Sequence, residues 1–153
     1  MYSFHFESRV YAVIIGHIQN FTDISDTVNY QQAKDYLLAK PEATLDHPFG
    51  PKPDVFKIHN KMFATLSSTD GNAYSNLKCD PEEALMLRDL FVEVKPGYHM
   101  NKKHWNTVHL DGNLPRGEIE RMIDNSYKLV VNSLTRGTRQ AIAIKYGPKA
   151  IYR

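Results

Sequence analysis

The residues best able to do chemistry in this chain are concentrated in the range Tyr98–Pro115. The stretch reads YHMNKKHWNTVHLDGNLP and holds three histidines, two lysines, a tryptophan and an aspartate. Histidine is a common metal ligand, so the spacing of His99, His104 and His109 is the first question. In a strand over 104–111, the side chains of His104 and His109 point to opposite faces. The spacing therefore predicts no converging zinc ligands and no metal site.

No motif for nucleophilic or cofactor-dependent catalysis occurs in the chain. The patterns GxSxG, HExxH, GxGxxG and GxxxxGKS/T are all missing, which excludes the common hydrolase, zinc-protease, dinucleotide and P-loop motifs. Cys79 has no CxxC partner, and Ser126 lies on the apolar stripe of a predicted helix, where a small core residue is expected. We therefore expect no catalytic residue, no cofactor and no enzymatic activity.

The strand near 104–110 instead predicts a binding surface. Val108 and Leu110 mark its core face. His104 points the same way, so we expect its ring to be at least partly buried and hydrogen-bonded. The opposite, open face carries aromatic and polar side chains directly after two lysines, and such a combination can stack bases and hold phosphates. The residues that we predict to contact nucleic acid are Lys102, Lys103, Trp105, Thr107, His109, Arg136 and Arg139.

A structural role is the alternative for the aromatic part of this surface. A lone tryptophan is more often structural, and Trp105 would then pack under the loop at 41–54 or under the C-terminal segment. The lysines would merely be solvated in that case.

The charge is unevenly distributed along the chain. The 19 Lys and Arg residues against 17 Asp and Glu give a formal net charge of only +2. After Asp124, however, six basic residues occur and no acidic one, and Arg136 and Arg139 are two of these six. A basic segment of this kind attracts polyanions through non-specific electrostatics. A solvated, partly disordered end is the alternative interpretation.

Length and composition are typical of one globular domain. The chain has 153 residues, of which 42% are hydrophobic and 24% charged. The longest apolar run near the N-terminus, VYAVII at 10–15, is too short to cross a bilayer or to form a secretion signal. One cysteine allows no internal disulfide and fits a reducing compartment. We therefore expect a cytoplasmic protein with no membrane contact.

Apolar periodicity and turn residues predict an α+β domain with the element order α-β-β-β-α-β-β-α. We expect a two-layer fold in which a five-stranded antiparallel sheet carries helices on one face and leaves the other face open. The segment 41–54 is predicted as a loop, and residues 140–153 as a strand or a loose tail. Gly137 is predicted as the left-handed cap that ends the last helix. The predicted helices span 30–40, 80–91 and 117–134, and the predicted strands 55–59, 62–67, 73–79, 94–98 and 104–110.

Four segments of the chain resemble one family of small bacterial proteins. They read KMFATL, LKCDPEEA, VKPGYHMNKKHWNTVHLDG and EIERMIDNSYKLVV, and in this order they resemble the MmcQ/YjbR family. The most specific parts are PGYHMNKKHW, TVxLDG and SYxLVV. The positions that match the family signature are Lys78, Pro81, Pro96, Tyr98, His99, Asn101, Lys102, His104, Trp105, Thr107, Asp111, Ser126 and Tyr127.

The resemblance implies both a fold and a function. It implies a secretion-chaperone-like or frataxin-like α+β fold and a DNA-binding role of the kind described as a double-wing motif. It brings no catalytic residues. The implied partner is DNA. From Lys102, Lys103, Trp105 and the basic tail we expect this binding to be weak and without base specificity. A protein partner or a second copy, docked on the open sheet face or on an edge strand, is the alternative.

The resemblance also divides the chain into three segments. Residues 29–137 form the MmcQ/YjbR-like domain, and residues 138–153 form a basic C-terminal tail. Residues 1–28 have no counterpart in the family, and Val28 stands where an initiator methionine is expected. We therefore expect residues 1–28 to be an upstream extension produced by a missed start codon. A genuine extra strand over RVYAVII is the alternative.

Overall fold

A computed structural model describes residues 27–151 of the chain. The predicted extension and the alternative strand over RVYAVII fall mainly on residues 1–26, outside the described part. The described helices are α1 (Tyr30–Leu38), α2 (Pro81–Leu90), α3 (Arg116–Asn132), α4 (Arg136–Tyr146) and α5 (Pro148–Ile151). The described strands are β1 (Thr44–Asp46), β2 (Asp54–Ile58), β3 (Lys61–Thr69), β4 (Asn72–Lys78), β5 (Val94–Pro96) and β6 (Trp105–His109).

The six strands form one sheet in the order β1-β2-β3-β4-β6-β5, and all neighbours are antiparallel. This confirms the α+β class with an antiparallel sheet. The prediction of five strands is wrong, because the segment predicted as a loop contains a sixth strand, β1, which pairs with β2. β1 has only three residues between Pro41 and Pro48, which is too short for an alternating pattern to be read from sequence.

The helices and one face of the sheet share a single hydrophobic core. Helix α3 presents an unbroken buried stripe that includes Ile119, Ile123 and Tyr127. A register shift opposite Phe56 places Phe63 as an extra residue in β3, and the Phe63 ring meets the Tyr127 ring edge-on at 5.4 Å. The β-bulge at Phe63 therefore adds an aromatic contact between the sheet and α3.

Local capping explains where the first two helices begin. Asn29 accepts from the Gln32 backbone, and the Gln32 side chain accepts from the Asn29 backbone, which is a complete capping box at α1. At α2, Asp80 accepts from the backbone of Glu82 and Glu83, and Pro81 occupies the first helical position. These caps fix α2 directly after β4.

The C-terminal segment is helical, so the prediction of a strand or a loose tail over residues 140–153 is wrong for the part that the structure describes, 140–151. Thr135 caps α4 by accepting from the Thr138 backbone. The prediction that Gly137 caps the helix at 117–134 is wrong, because α3 ends at Ser133 with a right-handed φ of −85° and Gly137 lies in the first turn of α4. A glycine with positive φ ends α4 instead, namely Gly147 with a φ of 86°. Ile142 and Ile151 are each 2% exposed and join the core. Among residues 27–151, no helix has the length and apolar character needed to cross a membrane.

Candidate nucleic-acid interface

Strand β6 lies between β4 and β5, and its register defines the face opposite the helices. Trp105 pairs with Lys78, and Thr107 pairs with both Asn76 and Lys95. Directly paired residues of antiparallel strands project to the same face. These five side chains therefore share the open face, as the alternation in the sequence predicted for Trp105 and Thr107.

Trp105 and Thr107 are nevertheless buried, which contradicts the prediction that they offer a surface. Trp105 is 9% exposed and Thr107 is 4% exposed. The physical reason is the segment 97–104, which we call the β5–β6 loop and which crosses the open face here. Gly97 allows this close approach, because a Cβ at that position would lie 2.8 Å from the Trp105 Cβ. His109 stays half-buried beside Tyr74, with ring centroids 5.9 Å apart.

Two buried polar side chains fasten the β5–β6 loop to the sheet at Tyr98. The Tyr98 backbone N–H donates to Thr107 Oγ1 at 2.8 Å, and Asn76 Nδ2 donates to the Tyr98 carbonyl at 3.4 Å. The Thr107 hydroxyl in turn donates to Asn76 Oδ1 at 2.5 Å. The backbone of Tyr98 is thus held on both sides, while its side chain is on the surface and 57% of the residue is exposed.

The other end of the loop is held from helix α2. The Arg88 guanidinium donates to Asn106 Oδ1 at 2.7 Å and to the Lys102 carbonyl. Lys102 Nζ donates to the Gly97 carbonyl at 3.0 Å, which closes the loop on itself. His99 adopts a left-handed φ of 57°, a conformation that histidine reaches more readily than most residues.

The prediction for His104 is wrong. The residue is exposed, and no hydrogen bond of its ring joins it to another residue of the described part of the chain. β6 begins one residue later, at Trp105, so His104 lies in the turn and the strand alternation does not apply to it. Only its backbone is used: the amide donates to the Asn101 carbonyl, and the carbonyl accepts from Cys79 at 2.8 Å.

Four lysines surround the Tyr98 side of the sheet, and we call them the basic rim: Lys78, Lys95, Lys102 and Lys103. Within residues 27–151, none of the four forms an ion pair with a carboxylate. Of the other lysines in the described residues, those at 34, 40, 57 and 145 have a carboxylate partner, and those at 52, 61, 128 and 149 do not. The basic rim therefore keeps a positive charge that the described residues do not neutralise.

Arg136 and Arg139, which the sequence predicts to contact nucleic acid, lie near the same end of the sheet as the basic rim. Arg136 and Arg139 are in the first turns of α4, and Arg139 donates to the Asn132 carbonyl at 2.9 Å. Lys61, at the start of β3, donates to the Ser133 carbonyl at 3.0 Å. β3 and β6 are separated only by β4, so these arginines extend the positive end of the sheet rather than meeting the basic rim.

The candidate nucleophiles are placed in the interior. Cys79 is 7% exposed, and burial raises the pKa of its thiol to about 12, so the thiol is protonated at neutral pH. Ser126 is fully buried; it donates to the Phe63 carbonyl and accepts from the Lys78 amide at 2.8 Å. In the part of the chain that is described, no three residues of the types His, Cys, Asp and Glu are grouped so that they could hold a metal ion.

Sequence reasoning missed Asn76 and Lys95 and gave Tyr98 only a signature role. Asn76 was detectable, since alternation along β4 places it on the face opposite Leu77. Lys95 belongs to a three-residue strand, and no periodicity identifies its face. The position of Tyr98 depends on hydrogen bonds to two other strands, which the local sequence does not encode.

Comparison with known proteins gives consistent matches over this region. The YjbR family model matches residues 38–129. The chain is 37% identical to the uncharacterised protein YbdF of Escherichia coli over 113 residues, which cover 74% of this chain and 93% of YbdF. It is 36% identical to the uncharacterised protein YjbR of Escherichia coli over 107 residues, covering 70% of this chain and 91% of that protein.

Solved structures match the fold as well. The crystal structure of Deinococcus radiodurans protein DR2400, described as a DUF419 domain, superposes with a TM-score of 0.71 at 30% identity and covers 77% of this chain and 90% of that one. A crystal structure of a Pseudomonas syringae protein gives a TM-score of 0.60 at 34% identity, covering 67% of this chain and 98% of that one.

Proposed function

Because the chain belongs to the YjbR family, whose matched relatives carry no functional name, we propose a function from its own geometry: weak, sequence-independent binding of nucleic acid. The basic rim makes the contact, with Arg136 and Arg139 as an extension along α4. The observation that carries the proposal is the set of rim lysines without a carboxylate partner in the described chain.

The chemistry of the rim suits phosphates rather than base edges. Its members are ammonium groups, which act as flexible point charges and do not read a base pattern. Contacts to phosphate position a protein on nucleic acid without carrying sequence information. Affinity should therefore fall steeply with salt, since each neutralised phosphate releases counterions.

Fluorescence anisotropy with labelled single-stranded and duplex DNA, at low and high salt, tests the proposal. The double variant Lys102→Ala, Lys103→Ala should weaken binding at low salt and reduce the salt slope by roughly one unit for each phosphate that is no longer neutralised. Absence of binding at low salt, or binding that does not respond to salt, overturns the proposal.

The chain offers a matched control for single charges. Lys52 is exposed and precedes Asp54, which lies at the opposite end of the sheet from Trp105 according to the strand register. Lys103→Ala and Lys52→Ala remove the same charge, but only the first should weaken binding. Equal losses would show an effect of net charge rather than a site.

Docking of a protein partner is the second candidate, and the sheet edges argue against its commonest form. The two edge strands of the described sheet, β1 and β5, have three residues each, and Pro96 ends β5. Short edges and an edge proline disfavour the addition of a strand from another chain. A partner would instead have to use side-chain contacts.

A further inference from the structure

We propose that Tyr98 is a stacking platform for an unpaired base, so that the domain prefers single-stranded nucleic acid to duplex. This inference rests on the proposed function and names its ligand class. It also replaces the stacking role that the sequence suggested for Trp105, which is only 9% exposed.

The first argument is exposure combined with rigidity. The Tyr98 backbone forms hydrogen bonds with the side chains of Thr107 and Asn76. These two side chains are hydrogen-bonded to each other, and the residues are only 4% and 7% exposed. Tyr98, which is 57% exposed, is therefore held in place through its backbone by two buried polar side chains. These hydrogen bonds reduce the conformational entropy that is lost on binding, because the loop backbone is already ordered.

The second argument is the crowding around the ring. The His99 ring centroid lies 3.9 Å from the Tyr98 centroid at an interplanar angle of 48°. The left-handed backbone at His99 brings the two neighbouring rings together. This contact covers part of the Tyr98 ring, so a base would stack on the side away from His99.

The third argument is charge complementarity at the platform. Lys102 Nζ donates to the Gly97 carbonyl, the peptide group that directly precedes Tyr98. Lys95 pairs with Thr107, the residue beneath the Tyr98 amide. An aromatic face beside cations is the arrangement by which proteins bind single strands without sequence preference.

The preference for single strands follows from access to the base. In a duplex, both faces of each base are covered by its neighbours, and extruding a base costs a few kcal/mol. An unpaired base reaches the Tyr98 ring without that cost. Duplex DNA can still bind the basic rim through its phosphates, but it gains nothing from Tyr98.

A two-by-two experiment isolates the stacking contact. Wild type and Tyr98→Ala are each titrated with a labelled oligothymidylate and with an abasic strand of equal length at the same low salt. Tyr98→Ala should lower the affinity for oligothymidylate about tenfold, the size expected for one stacked base. It should leave the affinity for the abasic strand unchanged. Tyr98→Phe should retain wild-type binding, whereas Tyr98→Leu should bind like Tyr98→Ala.

The control and the opposing outcomes keep the two proposals separate. Tyr146→Ala removes another exposed tyrosine, on α4, and should change neither affinity. Salt-dependent binding of both strands that Tyr98→Ala does not alter, or alters equally, overturns the stacking platform and leaves the proposed function standing. Failure of wild type to bind either strand at low salt removes both.

Discussion

Ser126 and His104 both match the family signature, but their side chains differ in burial and in hydrogen bonding. The buried Ser126 hydroxyl donates to the Phe63 carbonyl and accepts from the Lys78 amide, so it joins α3 to both β3 and β4. The His104 ring is exposed and makes no hydrogen bond to another described residue. Position in a signature therefore does not separate a structural residue from a surface residue, but burial and hydrogen bonding do.

This contrast gives a prediction for a matched pair of alanine variants. Ser126→Ala leaves a buried amide and carbonyl without their partner and should lower the free energy of unfolding by about 1–3 kcal/mol. His104→Ala should change it by less than about 0.5 kcal/mol, as for other surface substitutions. Urea denaturation measures both. A loss for His104→Ala as large as that for Ser126→Ala would contradict the exposed position of the ring.

At the scale of single residues, the sequence predicts which way a strand residue points but not which residues a loop will contact. Alternation correctly predicted the direction of Trp105 and Thr107, because period-two geometry is a property of any strand. It failed for His104, since the strand starts one residue later. It also could not predict that Tyr98 would be fastened over Thr107, because that contact depends on a loop returning from another strand.

At the scale of elements, Asp54 connects helix α1 to the loop that precedes β2. Its carboxylate accepts from Tyr30 at 2.8 Å, and Lys34 and His47 lie at 2.9 Å and 2.7 Å. Burial by itself would raise the pKa of Asp54, but hydrogen bonds from Lys34, His47 and Tyr30 outweigh it and lower the pKa from 3.8 to about 2.

Acid should therefore weaken this connection in a defined range. Because the folded-state pKa lies below the unfolded one, the contribution is complete above about pH 4 and is lost as the pH falls toward 2. Asp54→Asn should reduce the free energy of unfolding by about 2 kcal/mol at neutral pH, and the difference from wild type should shrink between pH 4 and 2. Urea denaturation at a series of pH values measures this.

Asp70 provides the control for this titration. It is exposed in the β3–β4 turn and forms no ion pair with another residue of 27–151. Its φ of 52° is one that asparagine also adopts, so Asp70→Asn introduces no strain. This variant should follow the wild-type curve. A constant difference between Asp54→Asn and wild type down to pH 2 would show that the carboxylate is not the titrating group.

The elements that the sequence failed to predict share a physical cause. β1 is too short to show alternation, and its pairing with β2 depends on a long-range contact. The segment QAIAIKY in α4 contains a short apolar run, and periodicity alone does not distinguish a strand from a helix in such a run. In the structure only Ile142 of its two isoleucines faces the core, while Ile144 is 86% exposed. Tertiary packing thus decides what the local pattern leaves open in α4.

At the scale of the whole molecule, one core unites helices and sheet, and the C-terminal helices are part of it. Buried residues of α1, α2, α3 and α4 contact the helix-facing side of the sheet in a single cluster. The opposite side is left for the β5–β6 loop and the basic rim. The proposed binding surface is therefore carried by a sheet whose rigidity depends on packing at its other face.

The two isoleucines of α4 test whether this helix belongs to the core. Ile142 is 2% exposed, so Ile142→Ala should leave a cavity and lower the free energy of unfolding by roughly 2–5 kcal/mol. Ile144 is 86% exposed, and Ile144→Ala should change it by less than about 0.5 kcal/mol while removing the same atoms. Because both variants lie in one helix, their difference cancels effects on helix propensity. Urea denaturation that gives equal, small losses would mean that α4 is detached from the core and that the basic segment is a loose tail after all.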